Sequence, residues 1–132
     1  NTAEVARKFA DILRAKGAKK VVLTDLCRDD MAEAVEDAFR YSRLVVAAAS
    51  YDADVFPPMH DFLHHLAIKN FSKRRIGIIE NGSWAPSAGK AMRKIIDTFK
   101  DVTVADTMVT VMSTLKPADM PALERLADEV LA

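Results

Sequence analysis

Two hydrophobic periods alternate along the chain. From Ala3 to Lys16 the apolar positions Val5, Phe9, Ile12 and Leu13 recur at helical spacing, with Thr2 as the expected N-cap and Gly17 as the stop. Lys19 to Leu26 reads as a strand centred on Val21, Val22 and Leu23. Asp29 or Asp30 is expected to cap a helix over Met31 to Tyr41, with Val35, Ala38 and Phe39 inward. Leu44 to Ala49 is a short uncharged run, the pattern of a strand covered on both faces in a parallel sheet. Pro57-Pro58 opens a helix over His60 to Lys69, with Met59, Phe62, Leu63 and Leu66 at i, i+3, i+4 and i+7. Arg75 to Glu80 is a second buried strand. Ala88 to Phe99 is a helix carrying Ala91, Met92, Ile95, Ile96 and Phe99 on its apolar face. Val102 to Val111 is a strand interrupted near Asp106, and Pro117 to Leu131 a closing helix with Leu123, Leu126, Val130 and Leu131 inward.

Helices between strands imply right-handed parallel crossovers and a three-layer α/β sandwich in one domain, residues 1–132. Such an architecture normally opens with a strand, whereas this chain opens with a helix. A first strand is therefore expected to be missing upstream of Asn1, and the start without Met points to a fragment or a processed form.

Composition narrows the function classes. The 132 residues carry 19 basic and 19 acidic side chains, a net charge of zero that argues against a nucleic-acid protein. A single cysteine, Cys27, allows no internal disulfide, which favours a reducing, cytoplasmic setting. No apolar run approaches the ~20 residues of a membrane span, and the start lacks the pattern of a signal peptide.

In open parallel sheets, ligands bind beyond the carboxyl ends of the strands. Asn1-Thr2, Ser50 to Phe56 and Asn81 to Ser87 fall at such ends. Asn1 and Thr2 offer a helix N-terminus and a hydroxyl, which suit a phosphate. Tyr51 and Trp84 are loop aromatics able to hold a planar ring by stacking. Taken singly, each has an ordinary reading: Thr2 a cap, Tyr51 and Trp84 packing. Together at one sheet edge they read as contacts of one ligand. His60 and His64 share a helical face beside Asp61, but no third ligand is spaced to complete a metal site, so a surface helix is the reading there. Lys69, Lys73, Arg74 and Arg75 read as a solvated turn, with an acidic redox partner as the other reading. Cys27 reads as a non-catalytic thiol.

The stretches Ala49-Ser50-Tyr51-Asp52-Ala53-Asp54-Val55-Phe56-Pro57-Pro58-Met59 and Glu80-Asn81-Gly82-Ser83-Trp84-Ala85-Pro86 carry a resemblance. In register with their strands they resemble the flavodoxin-like C-terminal domain of the flavodiiron proteins, also called A-type flavoproteins. In that family the domain follows a metallo-β-lactamase-like diiron domain. Asn1-Thr2-Ala3-Glu4 resembles the tail of the family's phosphate loop, whose Gly-Asn-Thr-Glu run closes a hydroxyl-rich turn.

The resemblance implies an FMN domain with sheet order 2-1-3-4-5, the central strand being the missing one. Asn1 and Thr2 would then hold the phosphate. Ser50, Tyr51, Asp52 and Ala53 would form the first flavin loop, and Asn81, Gly82, Ser83, Trp84 and Ala85 the second. Asp52 and Asp54 would disfavour a negatively charged reduced flavin and lower its potential. Asp52 stands where the family often has Asn, and Ala53-Asp54 where it often has glycines.

The resemblance further implies an electron-transfer role. Electrons would come from rubredoxin or an NAD(P)H-dependent reductase and pass to a diiron site on another domain of the parent protein, where O2 or NO is reduced. No catalytic or metal-ligating residues are expected in this chain. A flavin-free module for domain docking or homodimerisation is the alternative. A receiver domain of the same topology is disfavoured, because the Leu44–Ala49 strand ends in Ser50 rather than Asp.

Overall fold

The computed structural model describes residues 2–51, 54–82 and 86–132, with Tyr51 and Asp54 described as backbone only. Three parallel strands, β1 (Arg43–Tyr51), β3 (Arg75–Gly82) and β4 (Thr103–Met112), form the sheet. A two-residue strand, β2 (Asp54–Val55), turns back antiparallel on the end of β1, and the order is β2-β1-β3-β4. β1 and β3 pair in unbroken register from Arg43↔Arg75 to Ala49↔Asn81.

Helices α1 (Thr2–Ala15) and α5 (Met120–Leu131) cover one face of the sheet. Helices α2 (Met31–Arg40), α3 (Pro57–Ile68) and α4 (Ala88–Ile96) cover the other. This is the expected three-layer α/β sandwich. A short 3₁₀ turn over Pro117–Asp119 leads into α5, so the closing helix starts three residues later than the periodicity predicts.

The periodicity identifies the buried faces. On α3 the buried residues are Met59, Phe62, Leu63 and Leu66, the four predicted. Each such side chain contributes about 1.5–3 kcal/mol on burial. β3 is buried along Ile76–Asn81, as a strand covered on both faces must be. α5 approaches β3 so closely at Gly77 that an added Cβ would lie 2.9 Å from Val130 Cγ2. The Asp30 carboxylate caps α2, accepting from the Ala32 amide at 3.2 Å. Gly17, at φ +104°, ends α1.

β4 is irregular where the sequence places its interruption. Val104 pairs with Ile76 and Met108 with Ile78, so four steps of β4 span two of β3. The extra residues bring Thr107 to α5, where its amide and hydroxyl both donate to the Glu129 carboxylate. That carboxyl is held below the usual glutamate range, chiefly by the Thr107 hydroxyl, then by the Thr107 amide.

Four readings are corrected. Residues Lys19–Leu26 form no strand, and among the described residues 19–24 make no backbone hydrogen bond to another element. An apolar strand pattern needs a neighbouring ladder, and among the described residues none stands beside it. Val22 and Leu23, its expected core, are 45% and 47% exposed. The uncharged run of β1 is buried at Val46 and Ala48 but only half-buried at Leu44, Val45, Ala47 and Ala49. Thr2 lies inside the first turn of α1 rather than capping it.

The fourth correction concerns Arg74 and Arg75, which are structural rather than a solvated turn. The Arg74 guanidinium donates to the carbonyls of Phe39 and Tyr41 at 2.8 Å each and of Ser72 at 2.6 Å, and lies 5.0 Å from the Phe71 ring centroid. It thereby closes the C-terminal end of α2, whose last carbonyls have no helical partner. Arg75 donates to the Glu129 carbonyl at 3.4 Å.

Candidate functional site at the carboxyl ends of the strands

β1 and β3 run parallel, so Ser50 and Asn81 emerge at the same edge of the sheet. Two loops begin there. The first leads through β2 to α3, and the second returns at Pro86 to α4. The stems of the loops are tied together. Ser50 Oγ accepts hydrogen bonds from the Ser87 amide at 2.7 Å and the Ala88 amide at 3.1 Å. These amides open α4 and would otherwise be unsatisfied. Ser87, the residue at the N-cap position, does not cap the helix; its own Oγ is buried without a hydrogen-bond partner among the described residues.

The second loop is held from below by Glu80 and Asn81, which are 8% and 6% exposed. Glu80 Oε1 accepts from the Gly89 amide at 2.8 Å, and Oε2 from the Thr110 hydroxyl at 2.7 Å. Gly89 packs closely here: a Cβ there would press on Met108 Sδ and lie 2.9 Å from Glu80 Oε1, so either the Met108 side chain or the Glu80 carboxylate would have to shift. Asn81 Nδ2 donates to the Ser113 carbonyl at 3.0 Å, and the Ser113 amide donates to the Gly82 carbonyl at 3.1 Å. A Cβ on Gly82 would meet Pro86 at 2.9–3.0 Å, so Pro86 packs directly against the end of β3.

Of the sequence-predicted site residues, Ser50, Asn81 and Gly82 are brought together here. Thr2 opens α1 and lines a cavity beside β1 that also reaches Ala48, Ala49 and Phe56. Asn1, Asp52, Ala53, Ser83, Trp84 and Ala85 lie outside the described residues, as does the Tyr51 side chain. Ser50 and Asn81 already have protein partners, which makes them shapers of the loops as well as candidates for contact. Sequence reasoning missed Glu80, Ser87 and Gly89 as supports. Their partners lie up to 37 residues away in sequence, beyond any local spacing signal.

Thr2, at the start of α1, is the described site residue that offers a helix N-terminus. A helix N-terminus presents amides that suit an anion, and the Ser87 hydroxyl, buried without a partner among the described residues, stands at the stem of the second loop. The other candidates of the sequence are less organised. The His60 and His64 rings stack at 6.4 Å on α3, and among the described residues no three metal-ligating side chains cluster. Cys27 is exposed. Among the described residues no helix is long and apolar enough to cross a membrane.

No protein-family model matches the sequence, and no curated protein does. Solved structures do match. The chain superposes on a flavodoxin from Streptococcus pneumoniae with a TM-score of 0.85 at 24% identity, covering 99% of this chain and 90% of that one. It superposes on the rubredoxin oxygen:oxidoreductase of Desulfovibrio gigas with a TM-score of 0.88 at 17% identity, covering 98% of this chain. It also matches the Flv1 flavodiiron core from Synechocystis, with a TM-score of 0.76 at 16% identity and 99% of this chain covered. This chain spans about a third, 32%, of each of the latter two. The fold is flavodoxin-like.

Proposed function

We propose that this chain is an FMN-binding electron-transfer module. The observation that carries the reading is the pair of hydrogen bonds from Ser87 and Ala88 to Ser50 Oγ, which set two loops side by side at the carboxyl ends of β1 and β3. The resemblance of those loops to flavin loops, and the flavodoxin-like fold, support it. The α1 N-terminus with Asn1 and Thr2 would bind the phosphate. Ser50, Tyr51, Asp52 and Ala53 would meet one side of the ring, and Asn81, Gly82, Ser83, Trp84 and Ala85 the other. Bound FMN supplies one- and two-electron redox chemistry. The protein's share is to position the ring, exclude water from it and set the polarity at its edge.

Within this reading, the module sits in a larger flavodiiron protein. It receives electrons from rubredoxin or an NAD(P)H-dependent reductase and relays them to a diiron site elsewhere in the parent protein, which reduces O2 or NO. The names of two fold neighbours, a rubredoxin oxygen:oxidoreductase and a flavodiiron core, support this placement.

Titration with FMN and with riboflavin tests the reading, followed by quenching of flavin fluorescence. Trp84→Ala is expected to weaken both ligands alike. Thr2→Ala is expected to weaken FMN by roughly tenfold, the value of one charge-assisted hydrogen bond, and to leave riboflavin unchanged. Failure of both flavins to bind the folded chain overturns the proposal and favours a docking module.

A further inference from the structure

Helix α3 presents two imidazoles on one exposed band. His60 and His64 stand at i and i+4, and their ring centroids lie 6.4 Å apart at an interplanar angle of 14°. Both residues are exposed, and among the described residues neither ring has a hydrogen-bond or ion-pair partner. The backbone that carries them is fixed from the opposite side, where Met59, Phe62, Leu63 and Leu66 are buried in the core. The start of the helix is less secure. Phe56, at the N-cap position, makes no side-chain cap bond, and the first turn carries no acidic residue.

We infer that His60 and His64 form a two-imidazole chelate for one borderline divalent transition-metal ion, with copper(II) held most tightly. Metal–nitrogen bonds of about 2.0–2.1 Å require the two ligating nitrogens to come within ~4 Å of each other. Helix neighbours at i and i+4 have Cβ atoms about 5–6 Å apart, so rotation of the two side chains alone reaches that span. Neither ring breaks a bond within the chain when it turns, because neither has one. Among the described residues no group of three metal-ligating side chains completes the coordination sphere. Water therefore fills the remaining positions, and the site is an open one rather than a closed structural centre.

The donor type selects the ion. Magnesium and calcium take oxygen ligands. Imidazole suits zinc, nickel and copper, and affinity along the divalent series peaks at copper(II). Nitrogen and oxygen donors together, here two imidazoles and water, also suit the tetragonal arrangement that copper(II) adopts. Position selects the pair. His65 is exposed as well, but it stands one residue beyond His64, about 100° further round the helix, and so serves as a built-in control. A bound ion ties the first turn of α3, the one without a cap, to the second. The pair lies on α3, beyond the loops at the carboxyl ends of the strands, so its test needs no flavin.

Titration of the folded chain with Cu2+, Zn2+ and Mg2+ tests this, in a Cys27→Ser background that removes the exposed thiol. One Cu2+ per chain is expected at the pair, with an electron paramagnetic resonance spectrum that shows two nitrogen donors. Zn2+ is expected to bind more weakly and Mg2+ not at all. His60→Ala and His64→Ala should each weaken Cu2+ binding by at least about tenfold, since losing a ligand costs no less than losing a ligand's supporting partner. His65→Ala should leave the affinity unchanged. With Cu2+ at about 100 times its dissociation constant, the equilibrium constant for unfolding should fall by roughly a hundredfold in the parent and stay unchanged in the His60→Ala,His64→Ala double variant. All the substituted side chains are exposed, so the variants are expected to fold. An affinity unchanged by His60→Ala or by His64→Ala overturns the inference. So does an equal loss in His65→Ala, a spectrum with a single nitrogen donor, or the absence of saturable Cu2+ binding.

Discussion

Ser50 Oγ lies 2.7 Å from the Ser87 amide nitrogen and accepts a hydrogen bond from it, so the end of β1 caps a helix 37 positions further along the chain. The cap comes from across the sheet edge, and the local N-cap residue, Ser87, makes no side-chain cap bond, its hydroxyl having no partner among the described residues. Replacing the hydroxyl strands two amides at the start of α4. Ser50→Ala is expected to destabilise the fold by about 1–2 kcal/mol, in the upper range for loss of a cap. Urea unfolding should show a lower midpoint with an unchanged slope. A Ser50→Ala chain as stable as the parent would show that these amides find other partners.

Arg74 makes a larger contribution. Three carbonyls and the Phe71 ring surround its guanidinium, and a lysine cannot reproduce the planar fork. Arg74→Ala is expected to cost roughly 2–4 kcal/mol, and Arg74→Lys to recover less than half of that. Thermal unfolding of the two variants checks the order. Full rescue by lysine would mean that charge alone matters at the end of α2.

Glu129 links stability to acid. The Thr107 hydroxyl and amide hold its carboxyl below the usual value of 4.5 in the folded chain. A lowered folded value means that the unfolded chain takes up the proton first. The contribution is therefore complete above pH 4.5 and is lost as pH falls through the folded value. Glu129 is only half-buried, so solvent screening limits the effect to below about 1 kcal/mol. Glu129→Gln should lower stability slightly at neutral pH and flatten its decline below pH 4.5. Parallel declines of both chains, measured by urea midpoints across that range, would remove Glu129 from the acid response.

Much was determined by the sequence alone. The helical faces follow from spacing: Met59, Phe62, Leu63 and Leu66 are buried because a helix must hide one stripe, whatever lies opposite. The covered strand at Ile76–Glu80 and the Asp30 cap are legible for the same reason, since each depends on neighbours a few residues away. Tertiary structure decided the rest. Val21-Val22-Leu23 has the pattern of a strand, yet a strand exists only where another backbone supplies its hydrogen bonds, and beside β1 the space stands open. Arg74 reads as one of a run of surface cations, but its fate depended on carbonyls at Phe39 and Tyr41, more than thirty residues earlier. Ser50 was recognisable as a site residue; that its hydroxyl joins the two loops was not, because Ser87 and Ala88 come within reach only after β1 and β3 have paired. Periodicity records which side of an element meets the core, whereas hydrogen-bond partners distant in sequence are chosen by how the elements pack.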